Sequence, residues 1–382
     1  MPQQKSVALL IETSNAYARN LLSGIVSYLH TQTSWSVSLP EQHRGADPPT
    51  WLRSWKGDGV IARIETESIA KVIRRLKVPI VDVSAARHVP SAPWVETDDS
   101  AMAEAAFQHF RERGFRQFAF LAEPEFTWSN LREAGFIKAA QASNFQCHVF
   151  HSRKPDTRNF SWAQERNRMG HWLRQLPRPV GIFACYDIKG QQVLDLCREQ
   201  SISVPEEVAV LGVDNDELLC DLCNPPLSSI MPAAQQAGRQ AAELLELMMD
   251  GQKVPPLPHL IKPLGIVTRQ STDVIAIDDQ DVADAMKFIR DHACEGINVN
   301  TVLDTIPLSR RVLEKRFQEI IGRTPHQEIA RRRLEQVRRL LIETDLTLRQ
   351  IASKTGFRNE EYLSVAFRKA TGISPGQYRK QT

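Results

Sequence analysis

The chain has 382 residues, 42% hydrophobic and 24% charged, a composition that excludes a disordered chain and a length that suits more than one domain. The net charge of +3 hides an asymmetry: residues 286–382 carry 19 Lys+Arg against 11 Asp+Glu, and residues 1–285 carry 29 against 34. A basic segment behind an acidic body is the footprint of a nucleic-acid-binding module attached to something else.

The opening MPQQKSVALLIETS has too short an apolar run for a secretion signal, and no stretch reaches the length of a membrane span. A cytoplasmic protein that does not engage membranes is expected. Six scattered cysteines suit a reducing compartment, and the Cys220/Cys223 pair has no partner at zinc-finger spacing, so neither metal nor cofactor is expected.

Along the first 270 residues, short apolar strands alternate with amphipathic helices. Strands are predicted at Ser6–Ile11, Gly59–Ile64, Val78–Val83, Gln117–Leu121, Val180–Cys185 and Val208–Val213. Helices are predicted at Ala18–Leu29, Ser100–Arg113, Leu131–Ala142, Trp162–Leu176, Ile188–Glu199 and Ala234–Met249. This order reads as βαβ units around two parallel sheets, divided near Gly114. Pro-rich segments at Val254–Pro258 and Lys262–Pro263 mark a crossing or exit, and residues 271–284 read as a linker.

Ligands of such sheets bind beyond the carboxyl ends of the strands. Polar residues stand there in several places: Ser14 and Asn15 after the first strand, Asp98 in the run Glu96-Thr97-Asp98-Asp99 ahead of the helix at Ser100, Asp187 after the Cys185 strand, and Asp214 after the Val213 strand. Carboxylates and amides converging on one crevice suit a ligand dense in hydroxyls, although each residue alone is more often a turn or N-cap residue. No GxSxG, GxGxxG or P-loop is present, so neither a nucleophile nor a nucleotide loop argues for an enzyme.

From Ala283 onward the pattern is wholly helical, and it contains a repeat. Leu313, Phe317, Gly322 and Pro325 recur 50 residues later as Leu363, Phe367, Gly372 and Pro375. Leu and Phe four apart share a helix face, Gly and Pro end the helix and turn the chain, and basic residues crowd the surface positions between. Two such modules suit a protein that reads duplex DNA with two heads.

Stretches of the first part resemble the sugar-sensing core of the LacI/GalR repressors, built like a two-lobed periplasmic binding protein. They are DGVIARI (58–64), WVETDDSAMAEAAFQHFRERGFRQFAFLA (94–122), LREAGF (131–136) and CYDIKGQQVLDLCREQSISVPEEVAVLGVDNDE (185–217). The resemblance implies that Arg132 and Asp214 hold sugar hydroxyls, with Asp187 nearby. An Arg fork can reach two adjacent hydroxyls. Trp128, in the loop before Arg132, suits either an apolar sugar face or the core. Those repressors carry a DNA-binding headpiece ahead of the core, whereas here the core begins almost at Met1.

Residues 285–382 resemble the DNA-binding domain of AraC/XylS-type regulators, two helix-turn-helix units joined by a long helix. The first unit is VLDTIPLSRRVLEKRFQEIIGRTP (302–325), the second LRQIASKTGFRNEEYLSVAFRKATGISPGQYR (348–379), and IARRRLEQVRRLLIE supplies the joining helix. On the exposed face of the first unit lie Arg310, Arg311, Glu314 and Lys315, and the family's base-reading positions correspond to the last three. In the second unit the corresponding positions are Asn359, Glu360, Glu361 and Ser364, so the first unit is expected to carry more of the specificity. Arg316, Arg331–Arg333, Arg368, Lys369, Arg379 and Lys380 are candidates for phosphate contacts. Pro307 stands where the second unit has Gly356, so the first turn must adopt another geometry.

Over its whole length the chain is similar to the xylose-operon activators. The expected architecture is therefore an α/β, two-lobed periplasmic-binding-protein-like sensor (residues 1–270) followed by an all-α domain with two helix-turn-helix motifs (residues 285–382). The resemblance implies a transcription activator of sugar catabolism genes, a pentose such as D-xylose as effector, double-stranded DNA half-sites and RNA polymerase as partners, and a homodimer.

Overall fold

Residues 4–32, 34–154, 160–273 and 279–381 are described in the computed structural model. The chain divides into two units, Met1–Val274 and Ile275–Thr382.

The first unit holds two six-stranded sheets, one per lobe. The first lobe begins with β1 (Lys5–Leu10), α1 (Ala16–Thr31), β2 (Trp35–Ser38), β3 (Gly59–Ala62), α2 (Glu67–Ile73), β4 (Ile80–Asp82) and β5 (Trp94–Thr97). The chain then crosses to the second lobe: α3 (Asp99–Glu112), β6 (Gln117–Ala122), α4 (Thr127–Ala142), β7 (Cys147–His151), α5 (Trp162–Gln175), β8 (Val180–Ala184), α6 (Asp187–Glu199), β9 (Val208–Val213), α7 (Glu217–Leu222) and β10 (Ser228–Met231). It returns for α8 (Ala234–Met249) and β11 (Pro258–Ile261), and leaves again for β12 (Gly265–Val267). Sheet order is β11-β5-β4-β3-β1-β2 in the first lobe and β12-β10-β9-β8-β6-β7 in the second. All pairings are parallel except β10 with β12.

The six predicted strands all form, because runs such as VAVLGV are apolar at every position and are buried on both faces of a parallel sheet. The division expected near Gly114 lies instead at Asp98. Helix α3 belongs to the second lobe, where Phe107 and Phe110 join Phe118, Phe120, Phe136 and Phe183 in an edge-packed aromatic core. The crossing at Lys262–Pro263 is where the sequence signals it, between β11 and β12.

The return of α8 to the first lobe carries no signal in its own sequence. It rests on α1 through two glycines: a Cβ on Gly24 would lie 2.0 Å from the Gln235 carbonyl oxygen, and one on Gly238 would lie 2.0 Å from that of Leu21. Only residues without a Cβ allow this backbone-to-backbone approach. Around them Leu21, Ile25, Ala234, Ala241 and Leu245 close the core.

The expected linker 271–284 is shorter than its composition suggests. Ser271 and Thr272 are buried; the Ser271 hydroxyl donates to the Val210 carbonyl at 2.6 Å, and Arg113 donates to the Thr272 carbonyl at 2.8 Å. Helix already begins at Gln280. Small polar residues here satisfy buried backbone groups instead of spanning solvent.

The second unit contains α9 (Gln280–His292), α10 (Val299–Leu303), α11 (Arg310–Ile321), α12 (Pro325–Glu343), α13 (Leu348–Lys354), α14 (Glu360–Thr371) and α15 (Pro375–Gln381). Leu313, Phe317, Leu363 and Phe367 are all fully buried, while Gly322 and Gly372 end α11 and α14 in the left-handed region at φ +76 and +81. Pro325 and Pro375 open α12 and α15, where a missing N–H costs nothing. The joining helix α12 serves two cores: Ile329 packs with Leu313 and Phe317, and Val337 and Leu341 pack with Leu363 and Phe367.

Candidate ligand site and nucleic-acid interface

At the carboxyl ends of the strands the two lobes enclose a cavity of about 30 Å³. From the first lobe it is lined by Tyr17, Arg44, Arg63, Ser84, Glu96 and Thr97, among others, and from the second by Asp99, Trp128, Arg132, Tyr186 and Asp214. Of the residues expected from sequence, Trp128, Arg132 and Asp214 line it. Ser14, Asn15, Asp98 and Asp187 do not.

The reasons lie in local geometry. Asn15 and Asp98 are N-caps, accepting from Ala18 N at 2.8 Å and Ala101 N at 2.9 Å. Asp99, one residue on, is the acid that faces the crevice, and Arg132 donates to it at 2.7 Å. Asp187 is buried in a structural knot, accepting from the Ser229 hydroxyl at 2.6 Å and from Asp216 N at 2.9 Å. Asp214 has φ +107 and Asn215 φ +47, so the turn after β9 holds two non-glycine residues at positive φ. Arg269 secures that turn by donating to Asn215 Oδ1 at 2.9 Å. Cys220 and Cys223 are free thiols that donate to Asp187 and to the Leu219 carbonyl, and no cluster suited to a metal occurs among the described residues.

Three guanidiniums dominate the electrostatics. Arg63 is paired with Glu12 and, at 2.5 Å, with Glu65, and lies 5.2 Å from the centre of the Tyr17 ring. Arg132 donates to the Cys185 carbonyl at 2.5 Å and sits 5.0 Å from the Trp128 ring. Arg44 reaches from the first lobe over three rings of the second, Phe126, Trp128 and Tyr186, at 5.4, 5.0 and 4.8 Å. With Phe126 stacked on it at 5.3 Å as well, Trp128 does not present the bare face expected for a sugar.

Burial raises the acids. It pushes Asp82 up to about 8, partly offset by hydrogen bonds from Ser84. Glu96 is pushed up to about 7 despite Arg87, and Asp99 to about 6 despite Arg132. Burial raises Asp187 and Asp214 too, Asp187 further because Asp214 stands beside it. Four lining residues keep a buried polar atom without a hydrogen-bond partner among the described residues: Arg44 Nε, Arg63 Nε, Glu96 Oε2 and Trp128 Nε1. Arg44 and Arg63 were missed by sequence reasoning, and Glu96 and Asp99, noted in the run that opens the helix at Ser100, were passed over in favour of Asp98. Arg63 and Glu96 had a readable signal, a charge at the end of an apolar strand; Arg44, in an irregular loop, had none.

In the second unit, Arg311 and Lys315 are exposed on α11, while Arg310 donates to Glu314 at 3.0 Å one turn away. On α14, Asn359 is the N-cap and accepts from Tyr362 N at 2.9 Å; Glu360, Glu361 and Arg368 are exposed and Ser364 is half-buried. The turn of the second helix-turn-helix uses Gly356 at φ +70, where a Cβ would lie 2.8 Å from Gly296 N. The Pro307 turn passes from α10 to α11 with no positive φ, as the sequence requires.

Several cations expected at phosphates instead hold the fold. Arg316 pairs with Asp279 and Asp281 at 3.0 and 3.2 Å. Arg331 and Arg332 pair with the fully buried Glu328 at 2.8 and 2.9 Å. Arg333 donates to the Ala293 and Ile297 carbonyls, and Arg379 to those of Leu341 and Leu346. Arg368 and Lys369 remain exposed, and the Lys380 side chain lies outside the described residues.

Comparison with known proteins agrees with this geometry. Residues 6–100 match the family model of the XylR N-terminal domain, 107–272 that of a periplasmic binding protein-like domain, and 304–381 that of a helix-turn-helix domain. Over 381 residues the chain is 35% identical to the xylose operon regulatory protein of Escherichia coli (strain K12), covering 98% of this chain and 96% of that protein. The chain belongs to the family of xylose operon regulatory proteins. The Haemophilus influenzae member is 30% identical over 388 residues, covering 99% of this chain and 98% of that one. The solved structure of the xylose-binding transcription activator xylR superposes with a TM-score of 0.83 at 34% identity, over 100% of this chain and 99% of that one. The chain is a DNA-binding, sugar-responsive transcription regulator. No helix among the described residues is long and apolar enough to cross a membrane.

Proposed function

We propose that the effector is D-xylose, held between the lobes by Arg44, Arg63, Glu96, Trp128, Arg132 and Asp214, and that its binding activates transcription of sugar catabolism genes. The observation that carries this reading is the set of four unpartnered polar atoms around the cavity, three N–H donors and one carboxylate acceptor. Buried polar groups without partners are costly, and a compact polyol satisfies donors and acceptors together. Arg44, Arg63 and Glu96 belong to one lobe and Trp128 to the other, so one bound sugar ties both.

A space of about 30 Å³ holds little more than a water. Entry of a pentose therefore lifts Arg44 from its rings or parts the lobes, and ligand binding becomes coupled to lobe geometry. In this reading the working unit is a cytoplasmic homodimer, each copy presenting α11 and α14 to a half-site and RNA polymerase recruited beside it. The family resemblance supports that assembly.

Seven tryptophans all precede residue 285, so tryptophan emission follows the sensor alone. In melts read this way, D-xylose should stabilise the protein while hexoses and uronates do not; stabilisation by another sugar and none by D-xylose would overturn the assignment. Lys315→Ala should weaken binding to the upstream DNA site roughly tenfold and leave the sugar response intact.

A further inference from the structure

The two reading helices are equivalent in build and unlike in surface. Both span twelve residues, both bury Leu and Phe four apart, and both end on a left-handed glycine. The offset of 50 that matches Leu313 to Leu363 and Phe317 to Phe367 matches Lys315 to Val365 and Arg311 to Glu361. Lys315 stands on the outer face of α11 with its side chain 74% exposed. In its place on α14, Val365 is 69% exposed, and Tyr362, three residues before it on the same side, is 66% exposed. An outward pair of large apolar side chains on a reading helix, where the other helix has a cation, suits a partner surface with an apolar group.

The surroundings identify that surface. Arg368 and Lys369 lie one turn beyond Val365 on the same side, Arg358 stands just ahead of the helix, and all three are exposed with no ion pair among the described residues. A phosphate backbone is the partner that suits a cationic border. Within a major groove bordered by phosphate, the one apolar group on a base edge is the thymine C5-methyl. Guanine, which presents only acceptors there, is disfavoured by Glu360 and Glu361 in the first turn.

We propose that the second helix-turn-helix reads thymine by apolar contact, with the Val365 methyls against a thymine C5-methyl and the Tyr362 ring beside them. The first unit reads by polar contact through Arg311 and Lys315. This inference rests on the DNA-binding reading above and adds the chemistry of one half of it.

The test is a uracil scan with the full-length protein. Each thymine of the protected DNA site is replaced singly by deoxyuridine, which loses only the methyl group and keeps its pairing. At one position at least, the wild type should bind about fourfold more weakly, the ratio that goes with burying one methyl group. Val365→Ala should erase that difference at the same position. The substitution is exposed, and an unchanged melt will show that the fold is kept. If no position shows a uracil cost that vanishes with Val365→Ala, the inference falls. It falls equally if Val365→Ala lowers transcription while affinities for thymine and uracil duplexes stay unchanged, because α14 then faces a protein. If the wild type binds no discrete DNA site, the DNA-binding reading itself fails, a result distinct from both.

Discussion

In the sensor, Glu96 and Asp99 of the crevice and Asp82, which does not line it, are buried with carboxyls raised to about 7, 6 and 8. In the DNA reader, Glu328 is fully buried and its carboxyl is held below the usual range. Both regions bury acids beside guanidiniums, and the difference lies in completeness. Arg331, Arg332 and Arg323 meet both oxygens of Glu328 at 2.8–3.2 Å, so Coulomb attraction and charged hydrogen bonds outweigh burial. Glu96 has Arg87 on one oxygen and nothing on the other, and Asp82 Oδ2 is also unpartnered. Glu328, fully satisfied, is scaffold; Glu96, with one oxygen unpartnered, lines the cavity.

That contrast is broken or sharpened most strongly at Glu328. Glu328→Ala leaves several guanidiniums without their anion inside the reader and should cost about 3–5 kcal/mol there. Far-ultraviolet circular dichroism should show early loss of helix while tryptophan emission, confined to the sensor, melts as in the wild type. A reader that melts at its old temperature would mean that Glu328 is not its keystone.

The corresponding change in the crevice has the opposite character. Asp214→Ala removes an acid that burial already disfavours, so the sensor should lose far less stability than the reader loses with Glu328→Ala. It should lose the stabilisation by sugar, which for an intact site is about 2.7 kcal/mol at a hundredfold excess over Kd. An Asp214→Ala protein that still responds to D-xylose would remove Asp214 from the site.

The smallest effect concerns pH. Because Asp82, Glu96 and Asp99 have folded values above their unfolded ones, the folded sensor holds more protons than the unfolded chain between about pH 4 and 8. Sensor stability should therefore fall as pH rises through that window. Glu328, with a lowered value, makes the reader lose stability only as pH falls below about 4.5. Asp82→Asn should flatten the sensor's slope and leave it more stable than the wild type at pH 8. Parallel pH profiles for wild type and Asp82→Asn would dismiss the raised value.

Much of this molecule was readable residue by residue. The six strands, the division into an α/β part and a helical part, and the paired DNA-reading helices follow from apolar spacing and capping. Arg132 and Asp214 were legible through a family likeness. Reading failed where two neighbours of one chemical type compete for one role. Asp98 and Asp99 both follow β5; the first turns back to cap α3, and the second meets Arg132, 33 residues away. Arg331, Arg332 and Arg333 look alike in sequence, yet each is taken by an internal partner that a surface charge count cannot see.

The repeat of Leu, Phe, Gly and Pro shows what sequence alone determines here. Spacing of four places Leu and Phe on one face, Gly ends each helix at positive φ, and Pro opens the next, all within a dozen residues. These are local effects, decided before any distant segment arrives. Tertiary structure alone decided that α8 returns to the first lobe on two glycines, that Arg44 crosses to an aromatic cage, and which buried acids lack a partner. Each depends on groups tens to hundreds of residues apart, whose approach is set by sheet topology and not by any pattern in the segments themselves.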